Sequence, residues 1–560
     1  MQDNRVYNEY DRYLSPLDVL AITFGCTIGW GAFVMPGTSF LPAAGPLGTL
    51  VALAIGVGVM LVIGANFSYL MQHQPGTGGV YAYTKAAFGR DHAFLCAWFL
   101  CLSYLTIVFL NATALFTVIR TVFGSRLQIG YNYYNIGGNV IFMGEVGASI
   151  VALSIVGLLF INAKPLLQRL HTALVVILLA CVLLVTAVCL PHLSGETFRA
   201  ISGVRGGSPV HAVFSLVMLA PWAFVGFEVV SLETAHFDFK VRNSRWIMLA
   251  SILLSGLVYA SLTLVSVSAA PDGYASWQAY IADLDRLTGL AAVPSFFAAK
   301  SVLGSAGLLL MAVAAVAAIL TGMIAGYRAT ARILSTMAED RILSEKFSQT
   351  TYSILFIMLI SIAISLFGRN ALQCFVELTS FGAVIAFGYT SASAWKLAKR
   401  RGSRKVAVTG ALGTAASVVF GVAQLIPKLT AMEMMGADAF LVLSVWCLLG
   451  FMFYLRIVAR SGAAPGGSAS ASGVVMFALL LYSVLMWLGK RLMAAETIQA
   501  VRQTLRFEGA LMLVVIFIGL CVMIYIQRLV HRQHEDLRRR WTRASRDAGD
   551  EDSSGPDAAP

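Results

Sequence analysis

Apolar positions in this chain come in long uninterrupted blocks, separated by short polar or charged segments. Stretches of roughly 20 apolar residues, the length that a helix needs to cross a bilayer, recur between residues 17 and 530. We count fourteen of them, of which 352–368 is short and 473–490 ends at a Lys-Arg pair. The pattern predicts an all-α, polytopic membrane protein with about 14 transmembrane helices.

Two of these stretches are interrupted in the middle. The first contains FGCTIGWGAFVMPG, residues 24–37, and the sixth contains FSLVMLAPWAFVGFEVVSLE, residues 214–233, with Pro221, Gly226 and an acidic residue, Glu228. Glycine costs a helix interior about 1 kcal/mol and proline about 3 kcal/mol. Interrupted helices at corresponding positions of two halves indicate an inverted-repeat transporter with a binding site at the membrane midplane. The spacing therefore predicts two blocks of five helices, each opened by a broken helix.

An unwound stretch frees main-chain N–H and C=O groups, which is tolerated at membrane depth only where they line a cavity or meet a ligand. The start of the second half-helix offers N–H donors to a carboxylate, and the end of the first half-helix offers carbonyls to an ammonium group. The break in 24–37 is thus interpreted as a main-chain binding site for a zwitterion. The alternative is that its glycines are helix-packing positions, where small residues are common.

Composition and charge agree with a membrane protein. Hydrophobic residues make up 58% of the 560 residues and charged residues only 12%, with a mean hydropathy of +0.77; soluble proteins carry about 25% charged residues. If the N-terminus is cytoplasmic, most of the 40 Lys and Arg residues fall on the inner side, as the positive-inside rule requires. The net charge of +12 therefore reflects topology and contact with anionic lipid, and nucleic-acid binding is not expected.

The same pattern predicts the domain organisation. A cytoplasmic N-terminus (1–16) precedes a ten-helix transport core (17–395), which is followed by helices 11 and 12 (396–459). The segment 460–472, RSGAAPGGSASAS, is predicted as a flexible linker. Two additional transmembrane helices (473–530) and a disordered cytoplasmic tail (531–560) complete the chain.

Four motifs resemble those of the amino acid–polyamine–organocation (APC) superfamily of permeases. TIGWGAF (27–33) is similar to that family's first-helix signature, and QPGTGGVYAYTKAAFG (74–89) to its loop between helices two and three. WAFVGFE (222–228) is similar to the sixth-helix motif, and YRATARILSTMAEDRIL (327–343) to the loop after helix eight. The motifs occur in order over the first ten predicted helices.

The resemblance implies a LeuT-type 5+5 inverted-repeat fold with discontinuous helices 1 and 6, and transport by alternating access. It also implies that nine residues on the two broken helices contact the substrate: Thr27, Ile28, Gly29, Trp30, Gly31, Ala220, Trp222, Ala223 and Phe224. Trp222 matches an aromatic residue that closes over the substrate in members similar to the arginine/agmatine antiporter. Glu228 matches an acidic residue proposed there as a proton-sensitive element, so it is our candidate proton or gating residue.

This chain also departs from the family pattern. Trp30 stands where small residues are common, so it either takes up pocket volume or closes the site. Helix five has Leu178 where the family often has a lysine, and helix eight has Thr321 but lacks the hydroxyl pair of a sodium site. These departures leave both proton and sodium coupling open.

Other polar residues in the apolar stretches have less specific interpretations. Glu377 either helps to bind a cationic substrate or caps a helix at the outer side. Tyr104 and Asn111 on the third stretch either reach the pocket or form interhelical hydrogen bonds. His171 is expected at the inner membrane interface.

The leading hypothesis is a secondary transporter in the cell membrane, with both termini cytoplasmic. It would move amino acids or related amines, either linked to protons or as an exchanger. The alternative is a membrane sensor that uses the same site without transport. The sequence has no nucleophile elbow, phosphate loop or metal-ligand spacing, so we expect neither an enzyme nor a metal or other cofactor, and the oligomeric state is left open.

Overall fold

A computed structural model describes residues 12–76, 78–124, 133–136, 139–193, 195–198, 208–368, 373–426, 429–430, 434–461 and 467–494. The predicted tail 531–560, the predicted last helix near 508–530 and residues 1–11 lie outside these ranges. The described residues up to Ala439 form one compact unit, and those from Phe440 onwards form a second.

The chain enters the membrane through an interrupted helix. Helix α1 (Pro16–Thr27) starts at a capping box, in which the Asp18 N–H donates to Ser15 Oγ and the Ser15 N–H donates to the Asp18 carboxylate. After a break, α2 (Gly31–Met35) continues as a π-helical turn (Pro36–Phe40) into α3 (Leu41–His73). The non-helical backbone of Gly45 separates the first span from the second.

The remaining elements of the first half follow in short succession. They are α4 (Gly79–Phe88), α5 (Arg90–Phe123), the antiparallel hairpin β1 (Tyr133–Ile136) and β2 (Asn139–Phe142), α6 (Met143–Asn162) and α7 (Lys164–Cys189). In the hairpin, Tyr133 pairs with Phe142 and Ile136 with Asn139. Two 3₁₀ turns, Leu190–His192 and Gly195–Phe198, follow α7.

The second half begins with another interrupted helix, α8 (Pro209–Val217) and α9 (Ala220–Phe224). It continues through the 3₁₀ segments Phe227–Leu232, Thr234–His236 and Val241–Asn243. The helices that follow are α10 (Ser244–Ser266), α11 (Trp277–Ala282), α12 (Pro294–Glu339), α13 (Thr350–Ser365), α14 (Gln373–Arg400), α15 (Arg404–Leu425), α16 (Ala437–Ser461) and α17 (Gly467–Ala494). Three further 3₁₀ turns lie at Leu284–Arg286, Gly289–Ala292 and Glu345–Ser348.

Eleven helices within the described ranges are long and apolar enough to cross a membrane. The shorter apolar helices α1 and α13 correspond to the first half of the predicted first span and to the predicted ninth span. The prediction of an all-α polytopic membrane protein is confirmed.

In helix α5, 94% of the most apolar 18-residue segment is buried inside the protein. This helix therefore lies at the centre of the first unit. It packs against α12 and α14, while α1 packs against α7, α10 and α12. By contrast, only 28% of the corresponding segment of α15 is buried, and this helix exposes apolar side chains such as Val418. Such exposure is expected for a helix in contact with lipid.

The second unit contains most of α16 and all of α17. Phe451 and Phe477 bring these two helices together, with ring centroids 6.3 Å apart. The predicted linker 460–472 is helical in its described residues, since α16 continues to Ser461 and α17 starts at Gly467. Serine and alanine in this segment lead directly into an apolar stretch, and alanine has the highest helix propensity. Residues 462–466 lie outside the described ranges.

Candidate functional site

The first helix break exposes main-chain groups inside the protein. Ile28 is extended (φ −105°, ψ 112°) and ends α1, and α2 begins three residues later. Around the break, the Ile28 N–H donates to Phe24 O and the Ala32 N–H donates to Gly29 O, both at 3.1 Å. Because helix ends leave N–H and C=O groups without intrahelical partners, the break offers hydrogen-bonding groups to other helices and to a ligand.

The second break lies directly after α9. Val225 leaves the helical conformation (φ −54°, ψ 131°), and Gly226 adopts a φ of 119°, which residues other than glycine rarely reach. A Cβ atom at residue 226 would lie 2.7 Å from the carbonyl carbon of Cys26 and 2.9 Å from the nitrogen of Thr27. The two breaks therefore contact each other, main chain to main chain.

A cavity of about 440 Å³ lies beside the first break. Its wall includes five of the predicted site residues: Thr27, Gly29, Trp30, Gly31 and Trp222. It extends along α5 past Asn111 to Arg120, near the helix end that the sequence places outside. The cavity thus connects the unwound main chain with one face of the molecule.

Four predicted residues lie next to the cavity but not on its wall. Ile28 is completely buried, and Ala220, Ala223 and Phe224 are turned towards α3. A Cβ atom at residue 56 of α3 would lie 3.1 Å from Ala220 Cβ and 3.8 Å from Phe224 Cε2. These residues pack the broken sixth helix against α3.

Asn111 connects α5 with the first break. Its Oδ1 accepts a hydrogen bond from the Trp30 N–H (3.3 Å), and its Nδ2 donates to Ile107 O (2.9 Å). A Cβ atom at residue 29 would lie 2.7 Å from Asn111 Oδ1, and one at residue 322 would lie 2.8 Å from Asn111 Nδ2. Asn111 therefore holds the unwound main chain in place. The sequence indicates this residue because it is a polar side chain within an apolar stretch.

Aromatic rings surround the break. Trp30 is only 3% exposed and stacks on Phe33, with centroids 6.3 Å apart, and it also contacts Phe296 edge-on. Trp222 lies over the main chain of Gly31, where a Cβ atom would be 2.7 Å from the Trp222 ring, and its own ring lies 6.2 Å from that of Tyr259. Tyr259 is a wall residue that sequence reasoning missed, because nothing in the pattern of α10 distinguishes it from a packing residue.

Glu228 is fully buried behind the second break. Its Oε1 accepts a hydrogen bond from the Tyr104 hydroxyl (2.8 Å), and its Oε2 accepts one from the Gly226 N–H (2.9 Å). The carboxyl group therefore ties α5 to the unwound main chain and does not reach the cavity wall.

The side of the molecule opposite the cavity mouth is closed by polar contacts. Beyond the sixth span, the Leu14 N–H donates to His236 O (3.0 Å) and the Asp238 N–H donates to Leu14 O (3.1 Å). Nearby, Lys85 Nζ lies 2.6 Å from Asp340 Oδ2. These contacts fasten the start of α1 to the end of the sixth span, and α4 to the end of α12.

A further ion pair at this closed side involves Glu233, which directly follows the sixth span as the structure bounds it (Pro209–Leu232) and is 1% exposed. Arg332 Nε lies 3.3 Å from Glu233 Oε1. Burial alone would raise the pKa of Glu233, but the positive charges of Arg332, Arg328 and His236 outweigh burial, and the pKa lies below its ordinary value. Glu233 is therefore a carboxylate held by its cationic neighbours.

His171, expected at the inner membrane interface, lies inside the protein and not on its surface. It is completely buried, and neither ring nitrogen has a hydrogen-bond partner within the part of the chain that the structure describes. A Cβ atom at residue 25 would lie 2.6 Å from His171 Nε2 and 2.9 Å from Thr321 Cβ. The imidazole thus fills the space between α1, α7 and α12, close to the first break.

Comparisons with known proteins agree with this arrangement. A model of the family described as "Amino acid permease" matches residues 14–453. The chain is 23% identical over 264 residues to the branched-chain amino acid permease BcaP of Bacillus subtilis (strain 168), covering 46% of this chain and 55% of that relative. It is 24% identical over 344 residues to the methylthioribose transporter of the same organism, covering 60% and 69%. It is also 25% identical over 336 residues to the arginine/ornithine antiporter of Pseudomonas aeruginosa, covering 58% and 63%.

The match spans little more than half the length of the first of these relatives, whereas the family model covers most of this chain. The helices, the two breaks and the family match lead to the same conclusion. The chain is a multi-pass, all-α membrane protein and belongs to the amino acid permease family.

Proposed function

We propose that the protein is a secondary transporter that moves amino acids or related amines across the cell membrane by alternating access. The observation that carries this proposal is the cavity at the meeting point of two helix breaks, with the main chain of Gly29 and Gly31 on its wall. Unwound backbone at membrane depth is expected only where it lines a cavity or a ligand site. Residues 17–395 form the transport core in this proposal.

The substrate would be held mainly by main-chain groups. The start of the second half of helix one, at Gly31, supplies N–H donors for a carboxylate, and the end of α1 at Thr27 supplies carbonyls for an ammonium group. Trp30 and Trp222 both line the cavity at this region. The arrangement supports recognition of the part that all amino acids share.

The cavity is open at the Arg120 end and closed at the end that carries Glu233 and Asp340. With a cytoplasmic N-terminus, as the charge pattern predicts, this corresponds to an outward-facing conformation. Transport then requires the contacts at the closed end to separate while the mouth closes.

Glu228 is the candidate for coupling. As a buried carboxyl group bonded to the unwound Gly226 N–H, it would change the local structure of the second break when it binds or releases a proton. This supports proton-linked transport, whereas exchange of one substrate for another needs no titrating residue. One relative is named as a permease of branched-chain amino acids and another as an antiporter of arginine and ornithine. The relatives' names are therefore compatible with either form of coupling.

Uptake of radiolabelled amino acids into proteoliposomes tests the proposal. Gly29→Leu should abolish uptake, because even a Cβ atom at residue 29 would lie 2.7 Å from Asn111 Oδ1. Gly58→Leu is the matched control, since a Cβ atom at that exposed position of α3 meets no atom within 4 Å. Binding without uptake would favour the sensor, and normal uptake by Gly29→Leu would contradict the proposed site.

A further inference from the structure

We infer that the cavity selects amino acids with neutral, apolar side chains over those with cationic side chains. This inference rests on the proposed function and adds the substrate class. It follows from the chemistry of the cavity wall and from the orientation of the nearest carboxylates.

The wall presents no negative charge to a substrate. Among the described residues that line the cavity, the charged side chain is Arg120, at the mouth, and it is 47% exposed. Its Nη1 lies 3.3 Å from Glu145 Oε1, so this charge is already paired. A substrate ammonium or guanidinium group would therefore find no unpaired carboxylate on the described wall.

Like Glu145, two further acidic residues near the cavity are engaged with protein groups. Glu228 is 0% exposed, and each carboxylate oxygen accepts a hydrogen bond from the protein. Glu377 follows the wall residue Val376, but its Oε2 accepts a hydrogen bond from the Gly436 N–H (2.7 Å). The position of Glu377 agrees with the capping role among the two roles considered from the sequence, and does not place a carboxylate in the cavity.

Most other wall residues are apolar or aromatic. They include Ile107, Leu110, Trp222, Val225 and Val376. Three of the polar wall residues donate to carbonyls of their own helices at 2.9 Å: Thr27 to Thr23 O, Asn111 to Ile107 O and Thr379 to Phe375 O. Thr38, also on the wall, donates to Val34 O at 3.2 Å.

A cationic side chain that packs against this apolar wall loses part of its hydration and finds no counter-charge there, which is costly. An apolar side chain of the same length gains from leaving water. Amino acids with apolar and with cationic side chains therefore differ in affinity only through the end of the side chain. The α-carboxylate and α-ammonium groups that they share bind in the same way.

Norleucine and lysine make the sharpest pair of probes, because they have the same carbon chain and differ in the ε-ammonium group. The full chain in lipid nanodiscs is titrated with each, and the rise of the thermal unfolding midpoint gives the apparent Kd, since a ligand of the folded state stabilises it. Norleucine should bind at least about tenfold more tightly than lysine, which corresponds to about 1.4 kcal/mol. Equal affinity, or tighter binding of lysine, would overturn the inference.

Two substitutions of Val376 test whether the charge of the cavity wall causes this preference. Val376→Glu places a carboxylate on the wall and should improve lysine binding relative to norleucine at least about fivefold, whereas Val376→Gln should leave the ratio near that of the wild type. An unchanged ratio in a folded Val376→Glu protein would mean that wall charge does not set the preference. If neither probe binds and none of the twenty standard amino acids is taken up, the proposed function fails and the substrate class fails with it. If lysine alone binds, only the substrate class fails.

Discussion

Replacing Gly226 by alanine should destabilise the protein through a contact between the two helix breaks. The residue has a φ of 119°. A Cβ atom there would lie 2.7 Å from Cys26 C, 2.8 Å from Cys26 Cβ and 2.9 Å from Thr27 N. Carbon atoms pack best at about 3.5–4.0 Å, so the main chain of α1 or of the second break would have to move by roughly 1 Å.

Two terms make up the expected cost. A left-handed conformation costs a residue with a Cβ about 1–2 kcal/mol, and forcing extra volume into a packed site costs about 1–3 kcal/mol. Both neighbours are main-chain segments, so rotating a side chain cannot relieve the overlap. The total is about 2–5 kcal/mol, a large share of the roughly 5–15 kcal/mol that stabilises a typical protein.

Thermal unfolding of the purified protein in detergent measures the effect. The midpoint of Gly226→Ala should fall by roughly 2–4 °C, because the unfolding entropy of a 560-residue chain is large. Gly58→Ala is the control, because a Cβ at that exposed helical position meets nothing within 4 Å and alanine favours helix over glycine. A Gly226→Ala midpoint equal to those of the wild type and the control would refute a tight main-chain contact between the breaks.

Three further expectations concern titration, stability and topology. Glu228→Gln keeps its size but cannot titrate: its Oε1 can accept from the Gly226 N–H while its Nε2 donates to the Tyr104 hydroxyl oxygen. The variant should therefore bind substrate and lose the pH dependence of transport. Glu233→Gln should lower stability at pH 7 by about 1–3 kcal/mol. Because the folded-state pKa of Glu233 is lowered, its contribution is present above about pH 4.5 and is lost as the pH falls through the folded pKa, so the two proteins should converge in acid. Single cysteines at Ser276 and Ser403, in a background without the native cysteines, should react with impermeant thiol reagents outside intact cells at Ser276 only.

Each of these has an outcome that contradicts it. An unchanged pH profile in Glu228→Gln removes this residue from coupling, and loss of folding gives it a structural role. A stability difference for Glu233→Gln that grows in acid reverses the sign derived from its neighbours. Labelling at Ser403 but not at Ser276 inverts the proposed topology.

The sequence predicted both helix breaks correctly because glycine and proline interrupt a helix through local geometry. α1 ends at Thr27, in the motif TIGWGAF (27–33), and α9 ends at Phe224, in the motif WAFVGFE (222–228). Local composition also predicted the long apolar helices. The helical course of 467–472 was missed, since small residues are compatible with either a linker or a helix.

The sequence could not show which side chains meet across the helices. The contact of Asn111 with the Trp30 N–H joins positions 81 residues apart, and its existence depends on how α5 lies against the break. Likewise, the burial of His171 depends on the packing of α7 against α1 and α12. Nothing in its own segment distinguishes a buried imidazole from one at the membrane interface.

The polar contacts at the closed end have a consequence for any measurement of ligand affinity. An alternating-access cycle requires the main-chain pairing of Leu14 with residues 236–238 and the ion pair of Glu233 with Arg332 to be present in one conformation and absent in the other. Each contact then contributes to the equilibrium between the two conformations. Apparent affinity from the mouth side is the intrinsic affinity reduced by the fraction of molecules whose mouth is open. In the proposed alternating-access cycle, residues that never touch a ligand, on the opposite face of the molecule, therefore help to set the concentration at which the protein responds to it.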